Sequence, residues 1–457
     1  MLFSSITFLY YFLPISLIVY FLVPSAMRNG VLLLVSLVFY GWGEPRYVFL
    51  MIATVVLGYI FGIAIEMCRR YSRALCAASV IISLAFLAYF KYADFFIENF
   101  NRATGLSFPL LRVTLPVGIS FYTFQIISYT VDVYRGEAAQ RNIISLGAYV
   151  AMFPQLIAGP IVRYSDIAAQ LRRRTHSFEG AAHGIRRFII GLGKKILIAN
   201  QLGELCNIFR ESGDKSVLFY WMYALAFGLH IYFDFSGYSD MAIGLGRILG
   251  FDFLENFNYP YISRSITEFW RRWHMSLGSW FRDYVYIPMG GNRVGRLKSI
   301  LNILTVWALT GFWHGAAWNF IVWGLYFAVF LTLEKLLLAD FLRRHRVLSH
   351  LYVIFLIMIS FVIFNAGSMG EALGDIAGML ALRNIPLVSA EALYYLKSYI
   401  TVLAVAVVGA TPLPKMAAER LGRFSCGVEP VLLLSGLLIS TAYLVDGSFN
   451  PFLYFRF

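Results

Sequence analysis

A series of apolar stretches, each close in length to the thickness of a lipid bilayer, constrains the fold of this chain more than any other feature. Residues 6–23, 351–364 and 431–445 are examples. A helix of about 20 apolar residues crosses the hydrocarbon core of a bilayer. Because 59% of the residues are hydrophobic and only 14% are charged, a water-soluble fold could not bury the apolar surface. We therefore expect lipid to be the solvent for most of the protein.

The basic residues fall in short clusters between the apolar stretches. Arginines recur at 69–73, 172–174 and 343–346, and the net charge of the chain is +13. This is the positive-inside pattern of membrane proteins, so we expect these charges to meet membrane lipids and predict no binding of nucleic acid. The loops at 69–73, 163–174, 264–293 and 343–346 are predicted to face the cytoplasm.

The hydropathy pattern predicts an all-α, polytopic membrane protein with about 10–12 transmembrane helices, plus re-entrant and interfacial helices. Two regions are not expected to cross the bilayer. Residues 142–160 contain Pro154, and residues 184–201 are interrupted by Lys194 and Lys195. Such residues fit a broken or re-entrant path lined by protein better than a helix that faces lipid.

Two longer regions bear on where the chain turns. A crossing near 216–233 is expected to be followed by a return through residues 238–254. Residues 300–334 would form a straight helix of about 50 Å, which exceeds a hydrocarbon core of about 30 Å. We therefore predict a break in that helix, marked by Gly311 and Gly315.

The whole chain, 1–457, is expected to be a single membrane-embedded domain. Its predicted parts are N-terminal helices at 1–135, a catalytic core at 142–335 and C-terminal helices at 350–457. The cysteines at positions 68, 76, 206 and 426 show neither disulfide nor metal-ligand spacing. We predict packing roles for them and no metal site.

His314 is the first candidate catalytic residue. It lies between Trp313 and Gly315 in an apolar stretch, where an ionisable side chain indicates a functional site. A desolvated imidazole stays neutral and can accept a proton, so the position predicts a general base. The alternative is a histidine that only hydrogen-bonds a neighbouring helix.

His274 is the second candidate. Residues 268–283 are predicted to form one amphipathic helix in the membrane interface, with Trp270 and Trp273 on its apolar face and Arg271 on its polar face. His274 lies at the edge of the apolar face, where it can point into the protein. The competing interpretation is a histidine that merely fills an interfacial position.

Two further segments are candidates for binding. Asp234 and Asp240, in the segment DFSGYSD, could orient a histidine or an arginine, although no nucleophile-elbow motif supports a serine hydrolase. The segment MGGNR ends in Asn292 and Arg293, and its backbone amides could bind the phosphate of a donor. An ordinary turn is the alternative for this segment.

Together these motifs resemble the membrane-bound O-acyltransferase (MBOAT) family, and within it the branch of alginate O-acetyltransferases and related polysaccharide acetylation proteins. The resemblance covers nearly the whole chain. The YIPMGGNR segment at 286–293 resembles this branch more than the teichoic-acid D-alanylation transferases. The other segments that carry the resemblance are LFSS at 2–5, FLP at 12–14, LPVGISFYTFQ at 115–125, FPQLIAGP at 153–160, DFSGYSDMA at 234–242, NFNYPY at 256–261, FWRRWH at 269–274, FWHG at 312–315 and YFRF at 454–457.

The resemblance implies an O-acyltransferase of the bacterial inner membrane, with a ring of helices around a thinned centre. It implies acetyl-CoA or another acyl thioester as cytoplasmic donor, no bound cofactor, and periplasmic polysaccharide-acetylation proteins that modify a polymer such as alginate. His314 and His274 would correspond to two histidines of the family. Contacts to substrate or donor are expected from Asp234, Trp270, Arg271, Trp273, Trp313, Asn292 and Arg293.

A transporter or flippase of a polysaccharide precursor is the alternative from a different class. Such proteins also use broken helices at the midplane of the bilayer, there to bind a solute. They often contain internal repeats, and the sequence shows none. Release of CoA from acetyl-CoA would distinguish the enzyme from the transporter.

Overall fold

The computed structural model describes residues 1–157 and 159–447, and it describes only the backbone at Leu421 and residues 423–426. These residues are mainly helical and contain no β-strand, which confirms the all-α class. The YFRF segment at 454–457 and the side chain of Cys426 lie outside the described residues.

The helices follow one another with short connections. In chain order they are α1 (Leu13–Leu22), α2 (Arg28–Gly43), α3 (Val48–Met67), α4 (Ser72–Leu87), α5 (Ala93–Thr104), α6 (Ile119–Arg135), α7 (Ile143–Ala151), α8 (Phe153–Leu156), α9 (Tyr164–Arg172), α10 (Phe178–Gly193), α11 (Asn200–Glu211), α12 (Val217–Ile248), α13 (Ile266–Arg272), α14 (Met275–Phe281), α15 (Arg296–His314), α16 (Trp318–Leu333), α17 (Ala339–Arg344), α18 (Arg346–Asn365), α19 (Met369–Met379), α20 (Ala390–Gly409), α21 (Leu413–Leu421) and α22 (Arg423–Asp446). Short π-helical segments lie at Phe8–Phe12, Ala88–Tyr92, Lys194–Ala199, Arg282–Tyr286 and Glu334–Leu338, and 3₁₀ turns at Ser25–Met27, Arg69–Tyr71 and Pro260–Ile262.

The chain folds into two compact units. The first comprises Met1–Phe188 with Tyr238–Leu254, and the second comprises Ile189–Gly237 with Glu255–Phe457. Both histidines singled out in the sequence belong to the second unit.

Eight helical stretches of the described residues are long and apolar enough to cross a bilayer, which makes this a multi-pass membrane protein. Residues 142–160 and 184–201 are not among them. The eight stretches are Ser25–Gly43, Val48–Met67, Arg69–Thr104, Val217–Ile248, Trp318–Arg344, Arg346–Asn365, Ala390–Gly409 and Gly427–Asp446; Phe8–Leu22 is a shorter apolar helix.

Residues 184–201 are not interrupted at their two lysines, contrary to the prediction. This region belongs to a continuous helical run formed by α10, the π-helical segment Lys194–Ala199 and α11. Lys195 is only 2% exposed, and its Nζ lies 2.5 Å from the carboxylate of Asp234. Because this carboxylate compensates the buried charge, the helix continues through the lysines.

Helix α12 corrects a second expectation. The chain does not turn back between residues 233 and 238, since a single helix of 32 residues runs from Val217 to Ile248. Gly237 serves close packing within the second unit: a Cβ at this position would lie 2.7 Å from the carbonyl oxygen of Gly191. The glycine therefore lets two helical backbones approach and does not end the helix.

The predicted break within residues 300–334 is present, but only one of the two glycines marks it. Helix α15 ends at His314, and α16 begins at Trp318, so the break includes Gly315. Gly311 instead lies inside α15, where a Cβ would overlap the carbonyl oxygen of Phe320 in α16. Gly311 thus allows the two helices to pack closely, as small residues do in membrane proteins.

Candidate active site

His274 lies at a break that the predicted amphipathic helix lacks. Residues 268–283 do not form one helix, because α13 ends at Arg272 and α14 begins at Met275. His274 between them has a φ of 44°, in the left-handed region that non-glycine residues rarely occupy. Surrounding contacts must hold such a conformation. The side chain is 1% exposed, so the histidine is buried in the protein.

The segment before α13 holds this break through its backbone. The amide of Met275 donates to the carbonyl of Asn256 at 2.9 Å, and the amide of Asn258 donates to the carbonyl of Arg272 at 2.9 Å. The two ends of the break are therefore both tied to the NFNYPY segment.

The side chain of Asn256 fixes the orientation of His274. Its Oδ1 accepts from Oγ of Ser276 at 2.9 Å and from the amide of Ser276 at 3.3 Å, and it lies 3.1 Å from Nδ1 of His274. Because a carboxamide oxygen can only accept, Nδ1 of His274 carries the proton and Nε2 carries the lone pair. Asn256 was not among the candidate residues, although the NFNYPY motif contains it.

Aromatic rings surround the imidazole of His274. The ring of Phe235 lies 4.6 Å away and that of Trp313 lies 6.1 Å away, measured between centroids. Burial lowers the pKa of His274 to about 3, since water is not available to solvate the charged form. His274 is therefore neutral at physiological pH.

His314 is the last residue of α15 and is 4% exposed. Its ring meets those of Trp313, Trp323 and Phe364 edge to face, at centroid distances of 5.0, 5.1 and 5.3 Å. Both imidazoles thus pack against the same indole, that of Trp313. Such edge-to-face contacts orient the ring without requiring a charge.

Asn319, near the start of α16, helps to place Phe364 beside His314. Its Nδ2 donates to the carbonyl of Ala366 at 3.0 Å and to that of Phe364 at 3.3 Å. These carbonyls belong to the end of α18, where helical partners are lacking. Asn319 therefore ties α16 to α18 next to the histidine.

A cavity of about 1330 Å³ lies within the second unit. His274, Trp270 and Trp307 contribute to its lining, and the indoles of Trp270 and Trp307 pack 4.7 Å apart. Five basic side chains also line it. They are Arg264, Arg271, Arg282, Lys335 and Arg343.

Glu334 connects the lining of the cavity to α13. Its carboxylate accepts from the amides of Ile266 and Thr267 at 2.5 and 2.9 Å, and from Oγ1 of Thr267 at 2.7 Å. These amides lie at the start of α13 and would otherwise lack partners. A buried carboxylate on one helix thus fixes the helix that carries Trp270 and ends beside His274.

The structure brings some of the predicted binding residues to the cavity and leaves others elsewhere. Trp270, Arg271 and Asn292 line it. Oδ1 of Asn292 accepts from Nζ of Lys335 at 2.8 Å and from the hydroxyl of Tyr286 at 2.7 Å. The described residues that line the cavity do not include the other candidates, which are His314, Trp313, Trp273, Asp234 and Arg293.

The residues away from the cavity have other partners. Trp273 stacks on Phe269 at 5.5 Å and packs against Phe257 at 5.1 Å, and Asp234 pairs with Lys195. Within the described part of the chain, no group of three or more His, Cys, Asp or Glu side chains could hold a metal ion.

Comparison with known proteins places this site in a family. The model of the MBOAT, membrane-bound O-acyltransferase family, matches residues 127–367, which include both histidines. The probable alginate O-acetylase of Azotobacter vinelandii is 42% identical over 83% of this chain and 78% of its own length. The corresponding protein of Pseudomonas aeruginosa is 43% identical over 81% of this chain and 73% of its own length. The peptidoglycan O-acetyltransferase of Helicobacter pylori is 32% identical over 85% of this chain and 81% of its own length.

The family match covers just over half of the chain, and the relatives share its sequence over most of their own length. The all-α fold and the apolar helices agree with a membrane-embedded enzyme. This chain belongs to the membrane-bound O-acyltransferase family and is an O-acyltransferase.

Proposed function

We propose that the protein takes an acetyl group from acetyl-CoA on the cytoplasmic side of a bacterial inner membrane and moves it across the membrane for O-acetylation of an exported polysaccharide such as alginate. Periplasmic acetylation proteins complete the transfer to the polymer. The observation that carries this proposal is the cavity that joins His274 to a set of basic side chains. The names of the relatives, which include alginate O-acetylase and peptidoglycan O-acetyltransferase, support the acetyl group and the polymer.

The lining of the cavity suits acetyl-CoA. The phosphates of CoA are recognised by arginine and lysine, and five such side chains line the cavity. The volume of about 1330 Å³ exceeds the range of roughly 300–1000 Å³ for pockets that hold small ligands, which leaves room for a long donor. The aromatic wall formed by Trp270 and Trp307 suits the apolar thioester end.

The two histidines divide the chemistry. His274 lines the cavity and orients the donor by accepting a hydrogen bond at Nε2, while His314, which packs against Trp313 as His274 does, takes a proton from the acceptor hydroxyl. As the hydroxyl oxygen attacks the acetyl carbonyl carbon, a carbon–oxygen bond forms and the carbon–sulfur bond breaks. The proton held by the imidazole then passes to the CoA thiolate, so that His314 returns to its neutral form.

Release of CoA from acetyl-CoA by the purified protein in lipid nanodiscs tests the proposal. We expect release in the presence of a hydroxyl acceptor, and we expect His314→Ala to reduce the rate by about 10²–10⁴-fold, as loss of a general base does. His274→Ala should be severely impaired but retain more activity than His314→Ala. The matched control is His183→Ala, which changes an exposed histidine of the first unit.

A His314→Ala protein that releases CoA and acetylates acceptor at the wild-type rate would remove this residue from the mechanism. Absence of CoA release from the folded wild-type protein, with transport of a polysaccharide precursor in liposomes, would favour the transporter. Thermal stability is measured for each variant, because a histidine with only a packing role would lower the melting temperature.

The donor is tested by Arg271→Gln. Loss of one charge-assisted hydrogen bond to a phosphate should raise KM for acetyl-CoA about tenfold. KM for S-acetylpantetheine, which lacks the phosphates, should not change. Arg344→Gln, an exposed arginine near Arg343 that does not line the described cavity, is the control. An equal rise for both donors would argue against recognition of CoA phosphates by Arg271.

A further inference from the structure

A cluster of basic side chains in the first unit lies outside the active site. It joins Arg28, at the start of α2, to Arg174 and His176, in the segment between α9 and α10. Nη1 of Arg28 lies 3.0 Å from Nδ1 of His176. Nε of Arg174 donates to the hydroxyl of Tyr20 at 3.1 Å, and this hydroxyl lies 3.1 Å from Nε2 of His176. A continuous path of hydrogen bonds therefore connects the two guanidinium groups.

The ring of Tyr20 draws the two arginines together. The guanidinium carbon of Arg28 lies 5.6 Å from the centroid of this ring, and that of Arg174 lies 5.9 Å from it. Both arginines are only partly exposed. Two positive charges beside the same ring repel each other, and partial burial weakens the screening by water.

Among the described residues, no carboxylate offsets this charge. Among residues 1–157 and 159–447, neither Arg28 nor Arg174 lies in an ion pair. Gly250 lies beside His176. Asp252, two residues later, pairs with Arg247 and not with the cluster. Within the described residues, Nη1 of Arg28 contacts His176 and its Nε is buried without a partner. Arg174 also donates through Nη1 to Oδ1 of Asn29 and to the carbonyl of Gln170, so Nη2 of each arginine remains for a ligand.

The surroundings of the cluster are apolar and exposed. Ile18, Phe21 and Leu22 of α1 are 59%, 43% and 79% exposed, and the candidate span Ser25–Gly43 contains Arg28. Residues of this kind face lipid tails in a membrane protein. The basic cluster thus lies beside an exposed apolar surface and near the start of a candidate span, where we expect the phosphates of lipid headgroups.

We propose that Arg28, Arg174 and His176 form a binding site for the phosphate of an anionic phospholipid, with the acyl chains lying along the exposed face of α1. The phosphate oxygens accept hydrogen bonds from both guanidinium groups and neutralise their mutual repulsion. Tyr20 holds Arg174 through its hydroxyl and contacts both guanidinium groups with its ring. The site is separate from the acyl-transfer chemistry and does not depend on the proposed donor or acceptor.

Native mass spectrometry of the full-length protein, exchanged into mixtures of phosphatidylglycerol and phosphatidylcholine, tests this site. The wild-type protein should retain phosphatidylglycerol preferentially. Arg28→Gln/Arg174→Gln should lose the preference, by about fivefold for each arginine removed. Arg69→Gln/Arg70→Gln, which changes two exposed arginines of the loop before α4, is the matched control and should keep the preference.

Two outcomes would overturn the proposal. One is an unchanged preference for phosphatidylglycerol in the Arg28→Gln/Arg174→Gln protein. The other is stabilisation by inorganic phosphate equal to that by phosphatidylglycerol in a thermal melt, because a free anion would then satisfy the site without a lipid. If the double variant does not fold, Arg28→Lys and Arg28→Gln are compared: the lysine should keep most of the preference and the glutamine should lose it.

Discussion

The side chain of Asn256 determines the orientation and the tautomer of His274, a candidate catalytic residue. Its Oδ1 receives the proton of His274 Nδ1 and two donors of Ser276, and it thereby selects the tautomer in which Nε2 is basic. We expect Asn256→Ala to lower kcat by about tenfold or more, with a smaller change in KM for acetyl-CoA. Asn256→Asp keeps an acceptor and should retain more activity than the alanine variant. Wild-type kcat in Asn256→Ala would contradict this role.

The buried imidazole of His274 also makes a prediction about pH. Its pKa is lowered to about 3 in the folded protein, against an ordinary value of about 6.5. Between these values the unfolded chain binds a proton that the folded protein does not, so stability falls as the pH drops below about 6.5. Melting temperatures measured from about pH 7 to about pH 4 should decline less steeply for His274→Gln than for the wild type. Equal slopes would show that the burial of His274 has no such effect.

At the scale of elements, the close packing of α15 on α16 depends on glycine. A Cβ at position 311 would overlap a backbone oxygen, which cannot move as a flexible side chain can. We expect Gly311→Ala to destabilise the protein by about 1–3 kcal/mol and to displace His314, lowering the rate of CoA release. Gly193→Ala is the control, because no atom beyond its chain neighbours and its own helical backbone lies within 4 Å of the added Cβ. A Gly311→Ala protein with wild-type melting temperature and activity would contradict the packing argument.

The sequence predicts an element correctly when the residues that cause it lie within the element itself. The break after His314 follows from the length of an apolar run and from a glycine within it, and both are visible in the chain. The break at His274 was missed because the periodicity of residues 268–283 suits one helix, while Asn256, in an earlier segment, enforces the interruption. Likewise, the helix through Lys195 needed the carboxylate of Asp234, whose contact no local pattern reveals.

For the whole molecule, the orientation in the membrane is still a prediction from the basic clusters. In a background with Cys68→Ser and Cys426→Ser, Arg173→Cys should react with an impermeant maleimide only after the cells are opened. Cys76 and Cys206 are buried and should not interfere. Efficient labelling at position 173 in intact spheroplasts would reverse the proposed orientation.

The ion pair between Lys195 and Asp234 gives a prediction about the stability of the molecule. Both side chains are almost completely buried, at 2% and 1% exposure. Lys195→Met or Asp234→Leu alone leaves one buried charge without its partner and should cost about 3–5 kcal/mol, seen as a lower melting temperature and yield. The double variant should recover much of the loss. A double variant less stable than either single variant would show that the charges contribute beyond their pairing.

The same ion pair has a consequence for biosynthesis. The ribosome delivers Lys195 before Asp234, so the segment around the lysine reaches the membrane before its carboxylate partner does. Until α12 arrives, that ammonium group cannot settle in an apolar environment without a large penalty. The segment must wait in contact with water, lipid headgroups or an insertase, and the two helical segments then enter their final positions together.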